Sequence, residues 1–234
     1  MEKAYQNISI LFTLILFGLL WGFHKTYVVY FPEFKNFTSI HHIHGATMMT
    51  WIVLLIVQPI LIRTGRVNLH RMIGKVSYVL APLIVIMLFL IARRGYHHGV
   101  SDGIPIAESH AFMVLDIRGP VAFALFYALA MINRKNPASH MRYMIATSLL
   151  MIGPGFARGL GTNFNVSIWD GINYTDYAAI TIVAAFLAYD WFKKNNLVPY
   201  TVILSVLICE NILWHYRMSD AWQGFAAKFA ALFF

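Results

Sequence analysis

The sequence of 234 residues has few charged side chains and a single cysteine. Only 12% of the residues are charged, whereas 59% are hydrophobic, and the mean hydropathy is +0.63. A soluble domain has to cover its core with polar surface, which this composition does not supply. The sequence therefore indicates a membrane protein.

Several motifs of familiar enzymes are also missing. Cys209 is the only cysteine, which excludes an internal disulfide and a thiolate cluster for zinc or iron–sulfur. There is no glycine-rich phosphate loop, no nucleophile elbow and no His-Glu-x-x-His pair. The net charge of +8 comes from basic residues near the ends of apolar segments, so we expect contact with lipid headgroups and not with nucleic acid.

What the sequence does have is seven apolar segments, each long enough to cross a hydrocarbon core of about 30 Å. They lie at roughly 8–30, 38–62, 70–92, 107–132, 138–160, 174–192 and 198–216. The sequence predicts an all-α, polytopic bundle of seven transmembrane helices that forms one domain over residues 1–234. The carboxyl-terminal stretch "DAWQGFAAKFAALFF" predicts a short helix along the membrane surface, with an irregular tail as the alternative.

The distribution of basic residues predicts the orientation of the bundle. One side carries Lys3, Arg63, Arg66, Arg71, Lys75, Arg134, Lys135, Arg142, Lys193 and Lys194. The other carries Lys25, Lys35, Arg93 and Arg94, followed by Arg217 and Lys228 after the last segment. Because basic loops stay inside, we expect a cytoplasmic amino terminus and an outer carboxyl terminus, in a bacterial inner membrane.

Four histidines lie near the starts of successive predicted helices. With this orientation, His44 and His110 share the outer half, and His70 and His140 share the cytoplasmic edge. An unpaired imidazole in hydrocarbon is costly, so such residues commonly have a partner or a ligand. Facing histidines from non-adjacent helices can bind a haem iron through two neutral imidazoles.

The segments "HGATMM" and "VQPILIRTGRVNLHRMIGKVSY", with this order of histidines, resemble the cytochrome b561 family of transmembrane electron carriers. The resemblance covers roughly residues 41–160 and implies two molecules of haem b, one held by His44 and His110 and one by His70 and His140. It also implies a small-molecule or protein redox donor and an acceptor. The chain departs from the family in having seven predicted helices where six are usual. The alternative for His70 and His140 is contact with lipid headgroups.

A second hypothesis is a metal-dependent membrane enzyme, a hydrolase or an oxidase, with zinc, iron or copper near the outer face. Its candidate ligands are His24, His41, His44, His110, His215, Glu108 and Glu210. His41, His44 and Met48 have helical spacing, which suits copper, whereas imidazoles joined by carboxylates suit zinc or iron. The pair His97 and His98 is expected in a solvated loop.

A third hypothesis, a transporter or sensor, comes from charges inside the apolar segments. Asp116 and Arg118 are two residues apart, so we expect them on different faces of one helix with separate partners. Pro154 should kink or loosen the helix that contains Arg158. Asp116 or Glu210 is expected to neutralise Arg158. The leading hypothesis among the three is the b-type cytochrome.

Overall fold

The computed structural model describes residues 6–35 and 37–234, and the regular structure in these ranges is helical. Lys3, which contributed to the predicted orientation, lies outside the described residues. The α-helices are α1 (Ile8–His24), α2 (Ser39–Arg63), α3 (Val67–Gly74), α4 (Ser77–Ser101), α5 (Ile106–Ile132), α6 (Pro137–Leu149), α7 (Arg158–Phe164), α8 (Ile168–Phe192), α9 (Val198–His215) and α10 (Asp220–Phe233). The all-α prediction is confirmed.

Five helical stretches of the described chain are long and apolar enough to cross a membrane. They are Ser39–Arg63, Val67–Ser101, Ile106–Ile132, Ile168–Phe192 and Val198–His215. Ile8–His24 is a shorter apolar helix. The molecule is thus an integral membrane protein with a helical bundle, and its apolar outer faces suit contact with lipid.

Two helices have carboxyl-terminal ends that differ from those predicted. The first helix ends at His24 and not near residue 30, and a 3₁₀ turn, Val28–Tyr30, follows it. The helix expected to stop near residue 92 continues to Ser101, so His97 and His98 are helical and the expected loop was wrong. The basic pair Arg93 and Arg94 ends the apolar stretch, but it does not interrupt the helical hydrogen bonding. The chain turns only at Gly103, whose φ of 80° is favourable for glycine.

The expected loosening of the helix at Pro154 is confirmed. The fifth predicted helix is divided into α6, a π-helix over Gly153–Ala157, and α7. Proline lacks the N–H that an α-helix would use at this position, so the local hydrogen bonding widens. Helix α1 packs directly against the π-helix: a Cβ built on Gly22 would lie 1.9 Å from the carbonyl oxygen of Gly155.

Two groups of buried side chains hold the bundle together. The larger includes Trp51 and Phe126, both fully buried between α2, α5 and α6. The smaller is formed around Trp214 and Trp222 and attaches α10 to α5, where Trp222 Nε1 donates to the carbonyl oxygen of His110 at 2.8 Å. The carboxyl-terminal helix is thereby confirmed, and its position along the membrane surface stays a prediction.

Candidate functional site

The two ends of the bundle are named after one histidine at each. The starts of α2 and α5 define the His41 end, and the starts of α4 and α6 define the His140 end. Lys25 Nζ donates to the carbonyl oxygen of Thr162 at the former, and Arg134 donates to the Tyr78 hydroxyl at the latter.

His70 and His140 both lie at the His140 end. They belong to α3 and α6, and each lies within electrostatic range of the other. His140 Nδ1 lies 2.8 Å from the carbonyl oxygen of Ala130. Because a carbonyl only accepts hydrogen bonds, Nδ1 of His140 carries the proton and Nε2 keeps its lone pair.

The start of α6 explains why His140 is placed there. Asn136 Oδ1 accepts a hydrogen bond from Ser139 N at 3.2 Å, and Pro137 occupies the first turn, where a missing N–H is tolerated. One turn further on, Arg142 binds Asp190 of α8. These contacts fix the first turn of α6, and with it the backbone of His140.

Gln58 of α2 is the polar neighbour of His70. With its amide oriented to suit the surrounding donors and acceptors, Gln58 donates to His70 Nδ1 and to the His70 carbonyl oxygen, and it accepts from Gly74 N. Because Gln58 donates to Nδ1, the neutral His70 ring carries its proton on Nε2, unlike His140. Helix α2, to which Gln58 belongs, packs against both α3 and α6.

At the His41 end, His110 is held in the same ring tautomer as His140. Its Nδ1 lies 3.2 Å from Gln223 Oε1. The Gln223 amide nitrogen donates to the carbonyl oxygens of Ala107 and Arg217, which leaves the oxygen to face the ring. The ring is buried and stacks on Tyr96 with an interplanar angle of 1°. Nδ1 of His110 is thus the protonated nitrogen.

His44 has a different environment. Its Nδ1 is buried without a hydrogen-bond partner, and Arg158 lies within electrostatic range. Within residues 6–35 and 37–234, no hydrogen bond or ring contact joins His44 to His110. The two members of the predicted outer pair share an end of the bundle but do not touch.

The remaining candidate metal ligands are dispersed over the His41 end. His41 Nδ1 accepts from Thr38 N at 3.1 Å and caps α2. His24 and Glu108 are exposed, and His215 contacts Tyr177 and the carbonyl oxygen of Asn211. In the part of the chain that the structure describes, no three His, Cys, Asp or Glu side chains assemble around a common point.

Arg118 forms an ion pair within the apolar spans. Its two terminal nitrogens bind the Asp176 carboxylate of α8 at 2.8 and 2.7 Å, and one of them also donates to the Glu210 carbonyl oxygen at 3.2 Å. Asp116 does not bind Arg118, as expected for two residues on different faces of one helix. Asp176 lies within the predicted segment 174–192, but it was not recognised as the partner of Arg118 because the two residues are 58 positions apart in sequence.

The expected neutralisation of Arg158 does not occur. Among the described residues, Arg158 forms no ion pair with Asp116 or Glu210, and its guanidinium lies 4.7 Å from the centre of the Phe23 ring. The Glu210 carbonyl oxygen lies beside Arg118, from which it accepts a hydrogen bond.

We expect Asp176→Ala to lower the free energy of unfolding by about 2–3 kcal/mol. The substitution leaves the Arg118 guanidinium, which is only 12% exposed, without its carboxylate. Equilibrium unfolding in mixed dodecylmaltoside–SDS micelles measures the change. Asp220→Ala is the control, since Asp220 is exposed in the first turn of α10 and should matter by less than about 1 kcal/mol. Equal effects of the two substitutions would contradict a structural role for the pair.

These features define a class, an all-helical integral membrane protein with buried or partly buried histidines near both ends of the bundle. No family model, curated protein or solved structure matches the chain. The residues of the chain are therefore the evidence for its function.

Proposed function

We propose that the protein is a membrane b-type cytochrome that carries electrons, with His70 and His140 as the residues that would hold a haem at the His140 end. The observation that carries the proposal is the hydrogen bond of 2.8 Å from His140 Nδ1 to the Ala130 carbonyl oxygen. Histidines that bind metals commonly donate their other ring N–H to such an oxygen, which orients the ring and leaves Nε2 as the ligand. A haem held there would supply one-electron chemistry.

The approach of His70 to His140 supports the same assignment. The two rings belong to helices that are separate in sequence, and each lies within electrostatic range of the other. Gln58 keeps the His70 ring at the junction of α2, α3 and α6. His140 thus offers Nε2 to a metal, whereas His70 would offer Nε2 only in the other ring tautomer, with the Gln58 amide turned so that its oxygen accepts from Nδ1.

At the His41 end, His110 has a matching arrangement. Gln223 Oε1 accepts a hydrogen bond from His110 Nδ1, as the Ala130 carbonyl oxygen does from His140 Nδ1. We assign His110 and the unpartnered His44 as the residues that would hold a second haem. The metal-dependent enzyme is the weaker alternative, since its ligands are dispersed over the described residues.

We infer that the chain crosses the membrane seven times. Beyond the five long helices, α1 has 17 residues, which at 1.5 Å per residue is about 25 Å. The remaining crossing is the stretch from Pro137 to Phe164 between α5 and α8, formed by α6, the π-helix and α7. The basic residues near the His140 end favour a cytoplasmic location of that end, in a bacterial inner membrane.

Haem content measured on purified variants tests the proposal. The protein is expressed with added haem precursor, purified in dodecylmaltoside and assayed as the pyridine haemochrome. We expect His140→Ala and His70→Ala to lose at least one haem per chain relative to the wild-type protein, because each removes an iron ligand. His110→Ala should remove the other haem.

His24→Ala is the matched control, because His24 is an exposed histidine at a helix end without a contact among the described residues. It should leave the haem content unchanged. Wild-type haem content in both His70→Ala and His140→Ala, with unfolding midpoints like that of the wild type, would refute the assignment of the ligands.

A further inference from the structure

A groove of about 590 Å³ opens at the His41 end, between the last turns of α4 and the first turn of α2. It is lined by Ile40, Leu90, Arg93, Arg94, His97, His98 and Ser101. None of these residues belongs to the proposed haem ligands. Haem binding therefore does not account for the groove.

The polar side of the groove has an excess of cationic and donor groups. Arg93 and Arg94 form no hydrogen bond or ion pair in the described chain, and Arg94 Nε is buried without a partner. The nearby carboxylate, that of Asp102, is engaged by His98 Nδ1 at 2.7 Å. His41 of α2 lies within electrostatic range of Arg94. Among the described residues, this side of the groove has donors in place for an anion and no carboxylate bound to either arginine.

The other side of the groove is apolar. Leu90 lies one turn of α4 before Arg94, in the direction of the bundle centre, and Ile40 approaches from α2. Both helices belong to the stretches that are apolar enough to cross a membrane. The cationic groups thus occupy the end of the apolar spans, where lipid phosphates lie in a bilayer, and the apolar contacts lie deeper.

We infer that this groove binds the phosphate group of an anionic phospholipid, with Arg93 and Arg94 as the main donors and with Ile40 and Leu90 against the acyl chain. A guanidinium matches phosphate oxygens with two parallel hydrogen bonds, so an adjacent pair of arginines suits this group. An anionic lipid also matches the unneutralised positive charge better than a zwitterionic one. The site is independent of haem binding.

Titration of the full-length protein in dodecylmaltoside tests this inference. The probes are dioctanoyl phosphatidylglycerol, dioctanoyl phosphatidylcholine and inorganic phosphate, with binding followed by microscale thermophoresis. We expect phosphatidylglycerol to bind about tenfold or more tightly than phosphatidylcholine, and more tightly than inorganic phosphate. The double substitution Arg93→Gln/Arg94→Gln should weaken phosphatidylglycerol binding by about tenfold or more.

The double substitution Arg66→Gln/Lys75→Gln is the matched control. It removes the same charge from exposed residues at the His140 end and should leave the affinity unchanged. Ser101→Glu provides a second variant, because it adds a negative charge to the exposed rim of the groove without removing an arginine, and it should also weaken binding.

Three results would overturn the inference. The first is equal affinity of the wild-type protein for phosphatidylglycerol and phosphatidylcholine. The second is inorganic phosphate binding as tightly as the lipid, which would make the site one for free phosphate. The third is unchanged phosphatidylglycerol affinity in Ser101→Glu and in a folded Arg93→Gln/Arg94→Gln protein.

Discussion

Replacement of Asp190 by alanine is expected to lower the free energy of unfolding by about 3–5 kcal/mol, the range for breaking a buried ion pair. Arg142 Nε lies 2.6 Å from Asp190 Oδ2, and Arg142 Nη2 lies 2.7 Å from Oδ1. The two side chains are 1% and 0% exposed. The alanine variant would keep the buried guanidinium but remove the carboxylate that balances its charge, and Asn195 would lose an acceptor as well.

Unfolding in dodecylmaltoside–SDS mixtures, followed by far-ultraviolet circular dichroism, measures this effect. Glu33→Ala is the control, because Glu33 binds Lys35 in an ion pair with both side chains more than half exposed. Exposed pairs contribute about 0–1 kcal/mol. The double variant Arg142→Met/Asp190→Leu should regain much of the lost stability, since it leaves no unpaired charge. A loss below about 1 kcal/mol in Asp190→Ala would show that water or another group readily replaces the carboxylate.

Gly22→Val is expected to destabilise the bundle by about 3 kcal/mol or more, at the upper end for overpacked sites. The Cβ would lie 1.9 Å from the carbonyl oxygen of Gly155. That oxygen belongs to the backbone of the π-helix, so it cannot rotate away as a flexible side chain would. Helix α1 would have to move off the π-helix, which would separate Phe23 from Arg158.

Gly224→Val in α10 is the matched control for this prediction. A Cβ at Gly224 meets no atom within 4 Å, so only helix propensity changes, by less than about 1 kcal/mol. Thermal unfolding in dodecylmaltoside compares the two variants. Equal unfolding midpoints for Gly22→Val and Gly224→Val would contradict the close approach of α1 to the π-helix.

The helices could be predicted from the sequence wherever a long apolar stretch had a clear cap. The second helix, predicted at 38–62, is Ser39–Arg63, with Thr38 as its cap. The start of α8 was predicted six residues late, because polar residues near its beginning suggested a loop. The cap there is Ser167, whose hydroxyl accepts from Asp170 N at 3.1 Å, and the pattern Ser-x-x-Asp at 167–170 could have located it.

The partners of the candidate site residues were harder to predict. His70 and His140 could be assigned to one end of the bundle because each stands near the start of its helix. Gln223, which orients His110, lies 113 residues from it in sequence. Arg142 was assigned to the lipid interface from its basic character, but it is buried against Asp190. Such contacts depend on how distant helices pack, which periodicity and composition do not encode.

The most direct test of the proposed function is the reduced-minus-oxidised absorption spectrum of the wild-type protein, purified after expression with added haem precursor. With His70 and His140 as ligands, the dithionite-reduced protein should show an intense Soret band and sharp visible bands, with at least one iron per chain by elemental analysis. A folded, colourless protein without iron would contradict the assignment of this chain as a cytochrome.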